Sequence, residues 1–349
     1  MRHALNLKQQ LCYDETQKED DSMTKITMKE IAEFAGVGKS TVSRYFNGGY
    51  VKEETRLRIE AICREYHYQP NSVAKTLKAR HSYQIGVITP SIDSRTSARV
   101  LTALDEQLRL SGYTPLLINT NHNQIRELTS LESFSRMNVE GIILLATQIT
   151  PEHERIIHKL RLPVIVLAQE MAGAVTITLD DYTAGYDIGR KIGTARHRAV
   201  CLLGVSENDK AVGRTRKQGI LDGLKETGIT QVDFLETDFS FAASRQVVRA
   251  YLKDHRPDCM ICATDNLAMA AFKELHTAGY RIPQDVSLTG FGGYDVCEVL
   301  TPSLTTIRFD YEREGRTAAE LILEMIAGNP VESVKIGYTF IDGESVIER

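Results

Sequence analysis

No run in this chain approaches the ~18 consecutive apolar residues that a membrane-spanning helix needs, and its first twenty residues lack the apolar core of a secretory signal. Both absences point to a cytoplasmic protein. Cysteine is sparse, six in 349 residues, and is scattered rather than paired as in a disulfide framework. Cys259 and Cys262 have C-x-x-C spacing, but "DCMICATD" reads as a buried strand, in which residues three apart point to opposite faces. Core thiols, not a metal or redox pair, are expected there. Complete catalytic signatures are missing as well. Neither HExxH nor G-x-S-x-G occurs, and the nine histidines are scattered. Gly36-Val-Gly-Lys-Ser-Thr41 looks like the end of a phosphate-binding loop, yet the position five before its Gly-Lys pair is Glu33. The residues before it, "TMKEIAEFA", space Met28, Ile31, Ala32 and Ala35 at i, i+3, i+4 and i+7, the stripe of a helix and not of a strand. No enzyme, resident metal or cofactor is expected.

What is present divides the chain. The net charge of −4 hides an asymmetry: between Thr24 and Arg80, 11 Lys and Arg face 6 Asp and Glu, while the residues after Arg80 carry −7. A small basic head therefore precedes an acidic body. Residues 1–22 are polar without a sustained period and read as a disordered extension, with Met23 a possible true start. Residues 24–69 hold three short helical patterns. Two are joined by "AGVGK", whose glycines suit a sharp turn. The second exposes Lys39, Ser40, Ser43, Arg44 and Asn47 while Val42 and Phe46 turn inward. That is a helix-turn-helix with donors at the start of its second helix, as base reading requires. A polar solvated helix is the competing reading. Residues 70–83 read as a hinge helix and basic linker, capped by Asn71 or Ser72 after a proline.

From Gln84 the grammar changes to strands alternating with helix-length segments: "IGVITP", "PLLINT", "GIILLA", "PVIVLA", "RAVCLLGV", "CMICATD" and "VSLTGFGG". Continuous apolar runs of this kind are buried parallel strands. The length of residues 84–349 predicts two doubly wound α/β lobes, with a ligand cleft at the carboxyl ends of the strands.

The head "TMKEIAEFAGVGKSTVSRYFNGGYVKEETRLRIEAICREYHYQPNSVAKTLK" and the body motifs "VTITLDDYTAG", "VGRTRKQG", "CATDNLAMA" and "SLTGFGGYDVCEVLTPSLTTIRFDYEREG" resemble the lactose/galactose repressor family from about Ile26 to Ile326. The resemblance implies an all-α headpiece and a core built like a periplasmic sugar-binding protein. It also implies a homodimer on a palindromic double-stranded DNA operator, released by a small sugar or sugar phosphate. By it, Lys39, Ser40 and Arg44 read bases, and Thr27, Thr41, Ser43, Asn47, Tyr50 and Asn71 grip phosphates. Met28 and Ala74 belong to the same interface, and Leu77 wedges into the minor groove. The implied effector contacts are Arg216, Asp265 and Asp180. Many relatives carry Asp where this chain has "GFGG", so Asp295, Gln169 or Phe309 stands in. Arg216 as a structural ion-pair partner is the alternative.

Two departures concern the head: Gly38 replaces a capping serine, and the "NGGYV" loop is short. The combination of "AVGRTRKQG", "GFGGYD" and "TTIRFDYE" is most similar to sucrose-operon repressors of Gram-positive bacteria, with repressors for trehalose, maltose or fructo-oligosaccharides as competitors. A cytoplasmic sensor acting as an activator or with a corepressor is the alternative function. The tail after Gly328 lacks leucine heptads, so no tetramerising coil is expected.

Overall fold

The computed structural model describes residues 26–46, 49–66, 68 and 81–349. The chain forms two compact units that divide between His81 and Ser82.

The first unit holds α1 (Met28–Phe34), α2 (Lys39–Phe46) and α3 (Glu53–Glu65). Ile26, Ile31, Ala32, Ala35, Val42 and Ile59 form its core. Thr27 starts α1 through a capping box: its hydroxyl accepts from the Glu30 N–H, and the Glu30 carboxylate accepts from the Thr27 N–H. The α1–α2 turn depends on Gly36. At φ +66 it lets the Val37 N–H reach back to the Ala32 carbonyl at 2.9 Å, which closes the helix end.

The second unit is two lobes, each with a six-stranded sheet. Lobe 1 contains β1 (Gln84–Thr89), β2 (Thr114–Asn119), β3 (Gly141–Leu145), β4 (Val164–Leu167) and β5 (Val175–Leu179). Lobe 2 contains β6 (Val200–Val205), β7 (Val232–Thr237), β8 (Cys259–Cys262), β9 (Ser287–Phe291) and β10 (Thr305–Phe309). The final strands are shared out: β11 (Val334–Ile336) pairs in parallel with β5, and β12 (Tyr338–Ile341) pairs antiparallel with β10. The sheets β11-β5-β4-β3-β1-β2 and β12-β10-β9-β8-β6-β7 have the same strand order and differ in the direction of the last edge strand. Cys259 and Cys262 lie in different core clusters on opposite faces of their sheet, as strand alternation requires, and burial raises both thiols well above their ordinary pKa.

Three features depart from the sequence reading. Strands β4 and β5 are joined by a short loop with no helix between them. β7 is an edge strand that is only half-buried, so it shows no continuous apolar run. The segment after Gly328 is not a tail, since it supplies one strand to each sheet.

The lobes exchange helices. After β5, helix α7 (Asp181–Thr194) crosses to pack on α8 (Lys217–Glu226) of lobe 2; after β10, helix α12 (Tyr311–Ile326) crosses to pack on α4 (Arg95–Leu110) of lobe 1. With the β11–β12 link, three crossings tie the lobes together. The intervening helices are α5 (Gln124–Arg136) and α6 (Pro151–Lys159) in lobe 1, and α9 (Phe241–Asp254), α10 (Asp265–Thr277) and α11 (Asp295–Glu298) in lobe 2.

Candidate functional site

On the headpiece, α2 turns Val42 into the core and leaves Lys39, Ser40 and Arg44 exposed, with Thr41 and Ser43 half-buried. Tyr50 is exposed at 85%. Thr27 stands at the exposed start of α1, with its hydroxyl also donating to Glu30 at 2.7 Å. Met28 packs against the headpiece core, so its side chain is partly spent on packing. Asn47, Asn71, Ala74 and Leu77 lie outside the described residues.

In the core, the carboxyl ends of β8, β9 and β10 converge on Arg216, the last residue of a π-helical turn, Lys210–Arg216, that runs into α8. Arg216 is buried, with 4% of the residue exposed. It donates through Nε (2.9 Å) and Nη2 (2.5 Å) to Asp181 Oδ1, and through Nη1 to the Ala263 carbonyl at 2.5 Å. Phe291 and Phe309 flank it at 4.8 and 5.4 Å from their ring centroids. Such stacking suits a guanidinium, whose planar face is weakly hydrated.

Gln169 extends from lobe 1 just past β4, where Ala168 adopts φ +67. It spans the lobes: Nε2 donates to the lobe-1 Thr147 carbonyl at 3.1 Å and to Asp209 Oδ1 of lobe 2 at 3.0 Å. Its own carbonyl, Oε1, is buried without a hydrogen-bond partner. Asp209 also accepts from the Val212 N–H, yet burial dominates and raises its pKa. Glu314, in the first turn of α12, is buried near the charge of Asp181; burial first, then that charge, pushes its carboxyl up to about 8.

The other effector candidates lie outside the immediate partners of Arg216. Asp180 only precedes α7 and accepts from Thr183 at 3.1 Å; it is the neighbouring Asp181 that engages Arg216. Asp265 is fully buried, holding the "GFGG" loop by accepting from Thr306 Oγ1 (2.5 Å) and the Tyr294 N–H (2.9 Å), and burial raises its pKa. Gly292 has φ +148, and a Cβ there would meet the Tyr294 ring and Asp265 Oδ2. Position 292 therefore has no room for a side chain. Asp295 pairs with Arg99 at 2.8 Å at the exposed edge, its side chain 85% accessible. Arg216, Gln169 and Phe309 thus belong to one cluster, whereas Asp181, Asp209 and Glu314 were missed.

Residues 27–71 match the family model of bacterial regulatory proteins, lacI family, and residues 193–346 match that of a periplasmic binding protein-like domain. The chain is 35% identical over 304 residues to the sucrose operon repressor of Staphylococcus xylosus, spanning 87% of this chain and 94% of that one. It belongs to the lacI family of bacterial regulatory proteins. This lacI-family member is a DNA-binding transcriptional repressor and not an enzyme. It is also 29% identical over 337 residues to the HTH-type transcriptional repressor PurR of Pectobacterium atrosepticum, with 92% and 97% of the two chains covered. Among solved structures, the lac repressor dimer bound to operator and an anti-inducer matches with TM-score 0.84 over 93% of this chain and 100% of that chain; at 22% identity it speaks for the fold alone. A lacI-family regulator from Enterococcus faecium with bound ribose matches with TM-score 0.68 and 26% identity, covering 76% of this chain and 99% of that one. Among the described residues no helix is long and apolar enough to cross a membrane.

Proposed function

We propose that this repressor senses a small sugar in the cleft between its lobes and controls a carbohydrate-utilisation operon, sucrose or a related sugar being the favoured effector. The observation that carries the reading is Gln169. A buried amide oxygen without a partner costs about 1–3 kcal/mol and is a ready acceptor for a ligand hydroxyl, and this one lies where the lobes meet, in the cluster around Arg216. Arg216, Phe309 and Asp181 then shape the pocket, and Asp180 borders it. The similarity to the Staphylococcus xylosus repressor favours the sucrose class. The similarity to PurR keeps a corepressor-type response as the second reading.

On the DNA side, the exposed Lys39, Ser40 and Arg44 read base edges, with Thr27, Thr41, Ser43, Asn47, Tyr50 and Asn71 on phosphates and Ala74 and Leu77 in the hinge. A two-fold dimer on a palindromic operator, in the cytoplasm, completes the reading. Effector binding shifts the lobe arrangement and releases the operator, which requires different affinities for the two states.

The test titrates operator and sugar against Gln169→Ala in the full chain. Sugar affinity is expected to fall by about 1–3 kcal/mol, roughly five- to 150-fold, with operator affinity unchanged. Unaltered sugar affinity would remove Gln169 from the site.

A further inference from the structure

Six carboxylate residues are buried among the described residues (Glu127, Asp181, Asp209, Asp265, Glu274 and Glu314), but Arg216 is the only buried Lys or Arg. Three of the six gather about that guanidinium, directly or through Asp181. Asp181 takes two of its N–H groups directly; Asp209 lies within reach of its charge; Glu314 lies within reach of Asp181's; and Tyr311 stands in the field of Arg216, Glu314 and Asp265 together.

We propose that the lobe junction around Arg216 and Gln169 takes an uncharged, hydroxyl-rich ligand and rejects the phosphate ester of the same sugar. The inference rests on the sugar reading above and narrows it. A phosphate dianion taken out of water needs a cation or a ring of N–H donors to offset its desolvation. The buried guanidinium is already neutralised by Asp181 and shares a third donor with the Ala263 carbonyl. The unfilled group at the lobe junction, Gln169 Oε1, is an acceptor. It attracts hydroxyl protons, which a sugar supplies, and repels phosphate oxygens, which at neutral pH bring negative charge. Burial raises the carboxyls of both Asp209 and Glu314, and the same desolvation that disfavours their charge disfavours a further anion beside them.

The cations near the edge of the cleft do not reverse this balance. Arg99 is bound to Asp295 at 2.8 Å, Arg308 to Glu298 at 2.6 Å and Lys217 to Glu207 at 2.9 Å. Arg95 is exposed, with its guanidinium 5.9 Å from the Tyr294 ring centroid. Of these four cations it is the one without a carboxylate partner among the described residues, so the test includes it.

Calorimetric titration of the full chain at pH 7 compares sucrose, glucose and fructose with sucrose 6-phosphate, glucose 6-phosphate and fructose 1-phosphate, for the native protein and for Arg95→Ala. At least one neutral sugar is expected to bind, with its ester weaker by about a hundredfold or more in both proteins. An ester that binds as tightly as its neutral parent, or more tightly, overturns the inference while leaving the sugar reading standing; its loss in Arg95→Ala would then locate the phosphate at the rim. If no sugar of either kind binds while operator binding is intact, the reading of the cleft fails and the inference goes with it.

Discussion

Glu314 is a carboxylic acid held where an ionised one is costly. Its folded pKa, about 8, stands above its ordinary value of 4.5, so the folded chain keeps a proton that the unfolded chain has already lost between those two values. Its contribution to stability is therefore fully present below pH ~4.5 and declines as pH rises through about 8. Glu314→Gln keeps the shape and removes the titration. It is expected to raise stability by about 1–3 kcal/mol at pH 8 and to change it little at pH 5, measured by denaturant unfolding at both pH values. An equal effect at the two would mean that the carboxyl is ionised throughout. At this scale the sequence was ambiguous in a definable way. "LDDY" offers two adjacent carboxylates, and residues one apart on a helix point about 100° from each other. Only the start of α7 at Asp181 decides that this residue and not Asp180 meets Arg216. Likewise "CATD" offers Asp265 at the end of a strand, but whether it faces ligand or protein depends on the "GFGG" loop folding onto it from 25 residues later.

Helices α7 and α8 touch backbone to backbone. Gly185, Gly189 and Gly193 repeat every four residues along α7, and Gly219 and Gly223 do so along α8, so each set forms one stripe. A Cβ on Gly185 would strike the Arg216 carbonyl, and one on Gly189 the Ile220 carbonyl. The seam therefore fixes where Arg216 sits, because α8 begins just after it. Gly189→Ala is expected to lower stability by about 1–3 kcal/mol, despite the better helix propensity of alanine, since backbone atoms cannot rotate aside. Gly337→Ala is the control: nothing lies within 4 Å of its added carbon, and the change should stay within about 0.5 kcal/mol. Thermal unfolding of both variants checks the pair, and equal melting temperatures would mean that the seam is looser than described. The four-residue spacing is visible in the sequence. Which helix it faces is not, because small residues at that interval suit any close crossing.

Of the three apolar clusters of the core unit, one is shared between the two lobes. A single cluster runs from Ile85 and Val87 of lobe 1, through α7 and α12, to Val200, Leu202 and Ile307 of lobe 2. Each exchanged helix leaves part of its parent lobe's interior to be completed by the other, so neither lobe can bury its apolar surface alone. Scanning calorimetry of the full chain is thus expected to show residues 82–349 unfolding in one main transition. Two separate lobe transitions would contradict the shared interior. Saturation with a sugar that binds should raise that transition, by about 2.7 kcal/mol of added stability when the free ligand is 100 times its dissociation constant.

The sequence by itself determined the class of the elements and the seven strands that are continuous apolar runs. Periods of 3.6 and of continuous apolar runs, with the turn at Gly36, specified a helix-turn-helix and a doubly wound α/β body, because these patterns depend on residues near one another along the chain. Only the tertiary structure decided which carboxylates reach Arg216, that Gln169 bridges the lobes with an unpaired carbonyl, and that the last strands close both sheets. Those outcomes depend on contacts between segments tens to hundreds of residues apart, such as Asp181 with Arg216 and α12 with α4, and no local pattern encodes the choice among several chemically equivalent partners.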